Sequence, residues 1–124
     1  MVIIETTIFT RKIKELMSDD EYKLLQESLI NRPDVGSIIQ STGGLRKLRK
    51  LRKLRKLRKL RKLRKLRWKL EGRGKSGGVR IIYYWVSAGD QIYMLYAYPK
   101  NEQEELTAEQ KKLLKKMVER WSDG

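Results

Sequence analysis

The sequence predicts an α+β fold: a small antiparallel-rich sheet with helices packed on it, in the order β-α-α-β-β-β-α. Three observations predict it. Apolar residues recur at helical spacing towards both ends of the chain, and alternating β-branched and aromatic runs fill residues 66–98. Breaks rich in glycine or marked by proline separate the two kinds of segment.

Val2, Ile3 and Ile4 are β-branched or aliphatic residues suited to a first strand. Thr7 is placed to cap the helix that follows, where Phe9, Ile13, Leu16 and Met17 fall on one face. Ser18 and Glu21 form a capping-box pattern, in which the hydroxyl takes an orphan amide and the carboxylate reaches back. A second helix then runs to about Asn31, with Tyr22, Leu25, Leu29 and Ile30 apolar, and Pro33 stops it. Residues 34–44 read as a connection. Val35, Ile38 and Ile39 are expected to tuck under the domain, and Gly43 and Gly44 to make a joint.

Residues 66–86 read as a β-hairpin around a Gly-rich, basic turn. Leu66, Trp68 and Leu70 alternate with Arg67 and Lys69, so the two basic residues share a face, and the returning run brings Arg80 back across the turn. A further strand covers residues 91–98, with the turn between these strands at 87–90, and Pro99 ends the sheet. Thr107 and Gln110 form a second capping box. It opens a helix with Leu113, Leu114, Met117, Val118 and Trp121 on one face.

The chain has 124 residues and a formal net charge of +15. It contains no cysteine and no histidine, which removes disulfides, thiolate metal sites and the commonest general base. No apolar run approaches the roughly 20 residues of a membrane span, and the N-terminus lacks a secretory pattern, so a cytoplasmic protein is expected. Seven copies of Leu-Arg-Lys fill residues 45–65. Six of them account for 18 residues and 12 positive charges; without them the chain would have 106 residues and a net charge of +3. The expected organisation is one domain over 1–124, interrupted by the repeat at about 45–65. A period of three fits no amphipathic element, but leucine, arginine and lysine are all good helix formers, so a protruding helix is expected. The identity of the units points to expansion of a short tandem repeat, because no packed core requires it. The other reading is an RNA- or membrane-binding arm, since polyanion binding by such a tract is indifferent to sequence.

Gly74, Lys75 and Ser76 resemble the end of a phosphate-binding P-loop. That motif needs a glycine at position 69, which is lysine, and a helix where residues 79–86 read as strand. The basic set around the hairpin comprises Lys65, Arg67, Lys69, Arg73, Lys75 and Arg80. It is either a solvated sheet face or a face that binds phosphodiesters. Arg80 is the informative member, because it interrupts an apolar strand between Val79 and Ile81, where an unpaired charge is costly. Tyr83, Tyr84, Tyr93, Tyr96 and Tyr98 offer rings that can either stack on bases or fill the core.

Outside the surplus repeats, the chain resembles the RelE/HigB-type toxins of bacterial toxin–antitoxin systems. The resemblance rests on Gly43-Gly-Leu-Arg-Lys47, the Leu-Arg-Trp-Lys exit of the repeat, Gly72-Arg-Gly-Lys-Ser-Gly-Gly78, Val79-Arg-Ile-Ile-Tyr-Tyr84 and Leu95-Tyr-Ala-Tyr-Pro-Lys-Asn-Glu102, in that order and spacing. It implies a ribosome-dependent mRNA endonuclease held in check by an antitoxin, commonly of the helix-turn-helix type. By position it implies catalytic roles for Arg67, Lys69, Arg80 and Lys100, and RNA contacts from Lys65, Arg73, Lys75 and Tyr98. The catalytic tyrosine that some members carry near the C-terminus has no counterpart beyond Tyr98. The implied reaction uses no cofactor: the ribose 2′-OH attacks its own 3′-phosphate while Arg67, Arg80 and Lys100 offset the growing charge. Cationic neighbours favour a proton-accepting lysine, and Lys69 is the candidate base. The repeat departs from the family and enters directly before the catalytic strand. The alternative is a non-catalytic basic RNA-binding protein, or an allele inactivated by the expansion. An enzyme depends on Arg67, Lys69 and Arg80 individually; a binder depends on total charge.

Overall fold

The computed structural model describes residues 1–39, 63–70, 78–86, 90–103 and 105–122. The Gly43–Gly44 joint, residues 45–62 of the repeat, the basic turn at 71–77 and the turn residues 87–89 lie outside them. The elements are β1 (Val2–Glu5), α1 (Thr7–Leu16), α2 (Asp19–Asn31), β2 (Ser37–Ile38), β3 (Leu63–Lys69), β4 (Gly78–Val86), β5 (Gln91–Pro99) and α3 (Ala108–Ser122). They form the expected α+β fold, with one strand more than the sequence predicts: β2 lies in the stretch read as a connection.

The sheet order is β1-β5-β4-β3-β2. β1 runs parallel to β5, and the other neighbours are antiparallel. Each sheet face carries its own core. Phe9 and Ile13 of α1 and Leu25 and Leu29 of α2 pack with Leu66, Val79, Ile81, Tyr83, Ile92 and Met94. On the opposite face, Leu106 and Leu114 pack with Leu63, Ile82, Tyr84, Leu95 and Tyr98. The central strand β4 is therefore covered on both sides, which explains its nearly continuous apolar run.

Local chemistry sets the ends of the helices. The cap of α1 is Thr6 and not Thr7: its Oγ1 accepts from the Phe9 amide at 3.0 Å and donates to the Leu95 carbonyl at 2.9 Å. Ser18 caps α2 through the Glu21 amide, but the Glu21 carboxylate accepts from Trp68 Nε1 at 3.1 Å. The second capping box is reciprocal as expected. Gln110 N donates to Thr107 Oγ1, and Thr107 N donates to Gln110 Oε1. Val35 and Ile38, expected to tuck under the domain, are exposed, as are Ile30 and Leu113 of the apolar helix sets.

The last repeat unit corrects the expectation of a helix over 45–65. Residues 63–65 open strand β3, and the rest of the repeat lies outside the described residues. Leu63 enters the core on the α3 side. Arg64 donates from Nη1 to the carbonyls of Asp34 (3.0 Å) and Gly36 (2.8 Å), and its guanidinium lies 5.8 Å from the Trp85 ring centroid. Lys65 forms an ion pair with Glu105.

Candidate active site on the sheet

Two neighbouring rows of the sheet collect the basic residues. In the first, Arg67 of β3 pairs in register with Arg80 of β4, and Arg80 pairs with Tyr98 of β5. In the second, Lys69 pairs with Gly78, and the backbone amide of Lys100 donates to the Gly78 carbonyl at 2.9 Å. Lys69 and Lys100 thus flank Gly78 on either side, at the end of the sheet where the hairpin turns.

The alternation of β3 sends Leu66 to the core beneath α1 and α2 and leaves Arg67 and Lys69 exposed on the opposite face. Arg80 is half-buried between the fully buried Val79 and Ile81, and among the described residues no carboxylate pairs with it. Its guanidinium lies over Gly78: a Cβ built there would sit in ordinary van der Waals contact with Arg80 Nη1, at 3.4 Å. Two guanidinium-bearing residues side by side on a sheet oppose each other. Such an arrangement suits an anion that can accept hydrogen bonds from both, and a planar fork matches a phosphate.

Tyr98 is fully buried, so its ring offers no stacking surface to a base; the RNA contact expected of it is corrected on that ground. A β-bulge explains its position. Ile82 pairs with Tyr96 and Tyr83 with Met94, which leaves Leu95 as the extra residue of β5. Leu95, Tyr96 and Tyr98 consequently all pack on the α3 side. Burial pushes the Tyr98 phenol above its ordinary range, Glu105 adds to this, and Arg80 and Arg67 pull against it. Tyr98 is a neutral floor to the arginine pair. Its hydroxyl is enclosed and makes no hydrogen bond among the described residues. Tyr83 is a core anchor: its hydroxyl donates to the Pro33 carbonyl at 2.7 Å and accepts from the Gly36 amide at 2.9 Å.

Beside the arginine row lies a cleft of about 270 Å³ between β2, β3 and the approach to α3. Ile38, Ile39 and Leu106 give it apolar walls, and Lys65, Arg67 and Lys111 give it positive charge. Glu105 is its acidic member, with Oε1 and Oε2 each 3.2 Å from Lys65 Nζ. Lys65 holds the Glu105 carboxyl below the usual carboxylate range through that hydrogen bond and its charge, with smaller contributions from Lys111 and Arg67. Sequence reasoning did not find Glu105 or Lys111. The partner of Glu105 on β3, Lys65, is 40 residues away, and no local spacing marks either residue. Of the other expected RNA contacts, Arg73 and Lys75 lie outside the described residues.

A family model described as the RelE toxin of the RelE / RelB toxin-antitoxin system matches residues 61–123. That is more than half of the 124 residues, and it includes every strand that carries the basic rows. The chain belongs to the RelE toxin family. It is therefore a toxin of a toxin–antitoxin system, and its family implies an antitoxin partner. The RelE match starts at residue 61, two positions before β3, so the last repeat unit lies within the matched segment. Among the described residues, no helix of this RelE chain is long and apolar enough to cross a membrane.

Proposed function

We propose that this RelE toxin is a ribosome-dependent, metal-independent mRNA endonuclease whose scissile phosphate sits over the Arg67–Arg80 pair. The register match of those two arginines carries the reading. In the proposed reaction the ribose 2′-oxygen attacks the adjacent phosphorus while Lys69 accepts the hydroxyl proton. The bond to the 5′-oxygen breaks, and that oxygen leaves with a proton from solvent. A cyclic phosphate and a 5′-hydroxyl result. Arg67, Arg80 and Lys100 offset the negative charge that builds on the phosphorane, where fixed donors contribute most. Lys65, Arg73 and Lys75 contact neighbouring phosphates. The toxin acts in the cytoplasm as a single domain with the repeat as an insertion, and its antitoxin is a helix-turn-helix protein that covers the basic face.

The test is Arg80→Lys, which keeps the charge and loses the fork. Single-turnover mRNA cleavage on programmed ribosomes should fall by roughly 10²–10³, the scale of losing one oxyanion-type donor. The melting temperature should be unchanged. Near-normal cleavage would remove Arg80 from the catalytic set. A large drop in melting temperature with normal activity per folded molecule would make it a structural residue.

A further inference from the structure

Glu105 is the one acidic residue lining the cleft, and it lies against one of its cations. Lys65 Nζ is 3.2 Å from both carboxylate oxygens, so the two-oxygen edge of Glu105 is taken up by that ammonium. The Lys65 side chain is only 13% exposed, and that of Glu105 is 69% exposed. An anion entering the cleft therefore meets the carboxylate before it meets the ammonium. Two observations separate this pair from a structural clasp. An ion pair with so exposed a member contributes little to stability. The backbone of Glu105 is also held without it. Gln103 Nε2 donates to the Glu105 carbonyl at 2.9 Å and to Gln110 Oε1 at 2.8 Å, and the next residue, Leu106, is buried in the core. The side chain can thus turn about its own single bonds while the loop stays in place. Arg67 lies two residues from Lys65 on the same strand face, a distance of about 7 Å, and lines the cleft together with Lys111. A strand of phosphates that reaches Lys65 finds further positive charge beside it.

We infer that Glu105 is an internal competitor for Lys65: it occupies the ammonium in the free toxin, and an RNA phosphate takes its place while the carboxylate turns out to solvent. The exchange replaces one anion by another on the same ammonium and breaks no covalent bond. A lone anion gains little by it, because it only substitutes for a carboxylate already there. An RNA strand that also engages Arg67 and Lys111 offsets the lost ion pair with contacts that Glu105 cannot make. Glu105 is thus a positioning residue that acts through Lys65 and sets a threshold against small anions. The inference rests on the proposed contact between Lys65 and an RNA phosphate, but a binding cycle tests it apart from cleavage.

The probe is a 2′-O-methyl RNA oligonucleotide, which lacks the attacking hydroxyl and stays intact, titrated into the full-length chain at low salt. The repeat contributes alike to every variant, so a double-mutant cycle cancels its share. Binding is scored per folded molecule, with thermal melting as the control. Glu105→Gln should tighten binding up to about fivefold, the scale of releasing one exposed ion pair. Lys65→Gln should weaken binding and lower the log–log salt slope by about 0.7, the share of one phosphate contact. In the Lys65→Gln background, Glu105→Gln should gain less than about twofold, because no ammonium is left to free. Weaker binding by Glu105→Gln overturns the inference, since it marks Glu105 as a support that holds Lys65 ready for RNA. Equal gains in both backgrounds also overturn it, because they mark a carboxylate that repels RNA with no exchange at Lys65. So does a Lys65→Gln chain that binds as the wild type does. The expected coupling without mRNA cleavage would sustain the exchange and defeat the nuclease; cleavage with no coupling would do the reverse.

Discussion

Tyr83 shows how one side chain can fix a distant loop. Its ring is buried under α1 and α2, and its hydroxyl bridges the Pro33 carbonyl and the Gly36 amide, so the segment leading into β2 hangs from β4. Gly36 permits that approach. A Cβ there would lie 2.8 Å from the Tyr83 hydroxyl oxygen and 3.0 Å from the Lys65 carbonyl. Gly36→Ala should therefore cost about 1–3 kcal/mol in denaturant unfolding, the range for overpacking a filled site. A loss below about 0.5 kcal/mol would show that the loop moves aside freely. Arg64 holds the same loop by a second route, through the carbonyls of Asp34 and Gly36. Alternate residues of β3 thus do opposite work: Arg64 binds the chain to itself, and Arg67 faces outward.

Among the elements, α1 and β5 are joined most economically. Thr6 caps the helix with the lone pairs of its hydroxyl and uses the hydroxyl proton on the carbonyl of Leu95, the bulged residue. Thr6→Ala should lose about 2 kcal/mol, the upper end of the N-cap range, because it strips both contacts. Thr7→Ala should stay within about 0.5 kcal/mol. Equal losses, measured by chemical denaturation, would return the cap to Thr7. This contrast marks the limit of what the sequence discloses. The helical faces, the hairpin and the Thr107–Gln110 box were legible because their partners lie within a few residues or repeat at a fixed period. Arg67 and Arg80 were legible as sharing a face because alternation fixes it. The Glu21 carboxylate was not, because its partner Trp68 is 47 residues away. The burial of Tyr98 was also hidden, because an unmarked bulge changes the phase of β5. β2 is two residues long and too short to show alternation.

At the scale of the whole molecule, the repeat serves both as a polyelectrolyte and as the entrance to the sheet. Deleting residues 45–62 should leave the melting temperature intact, since residue 63 opens β3 and the seventh unit supplies Leu63, Arg64 and Lys65. The shortened chain should lose much of its salt-dependent RNA affinity, each neutralised phosphate contributing about 0.7 to the log–log salt slope for single strands. Failure to fold would make the tract structural. The placement of that seventh unit in β3 also bears on alignment. Sliding the chain by one unit puts the same residue types into the first five of the seven β3 positions, and an arginine still faces Arg80. The two remaining slots change, with lysine replacing Trp68 and leucine replacing Lys69. Strand slippage is therefore nearly silent in the arginine pair and costly only at its exit. There Trp68 would surrender its packing and its bond to Glu21. One indole is the stop that keeps a sevenfold-degenerate thread in a single alignment, and with it the place of Lys69 opposite Gly78.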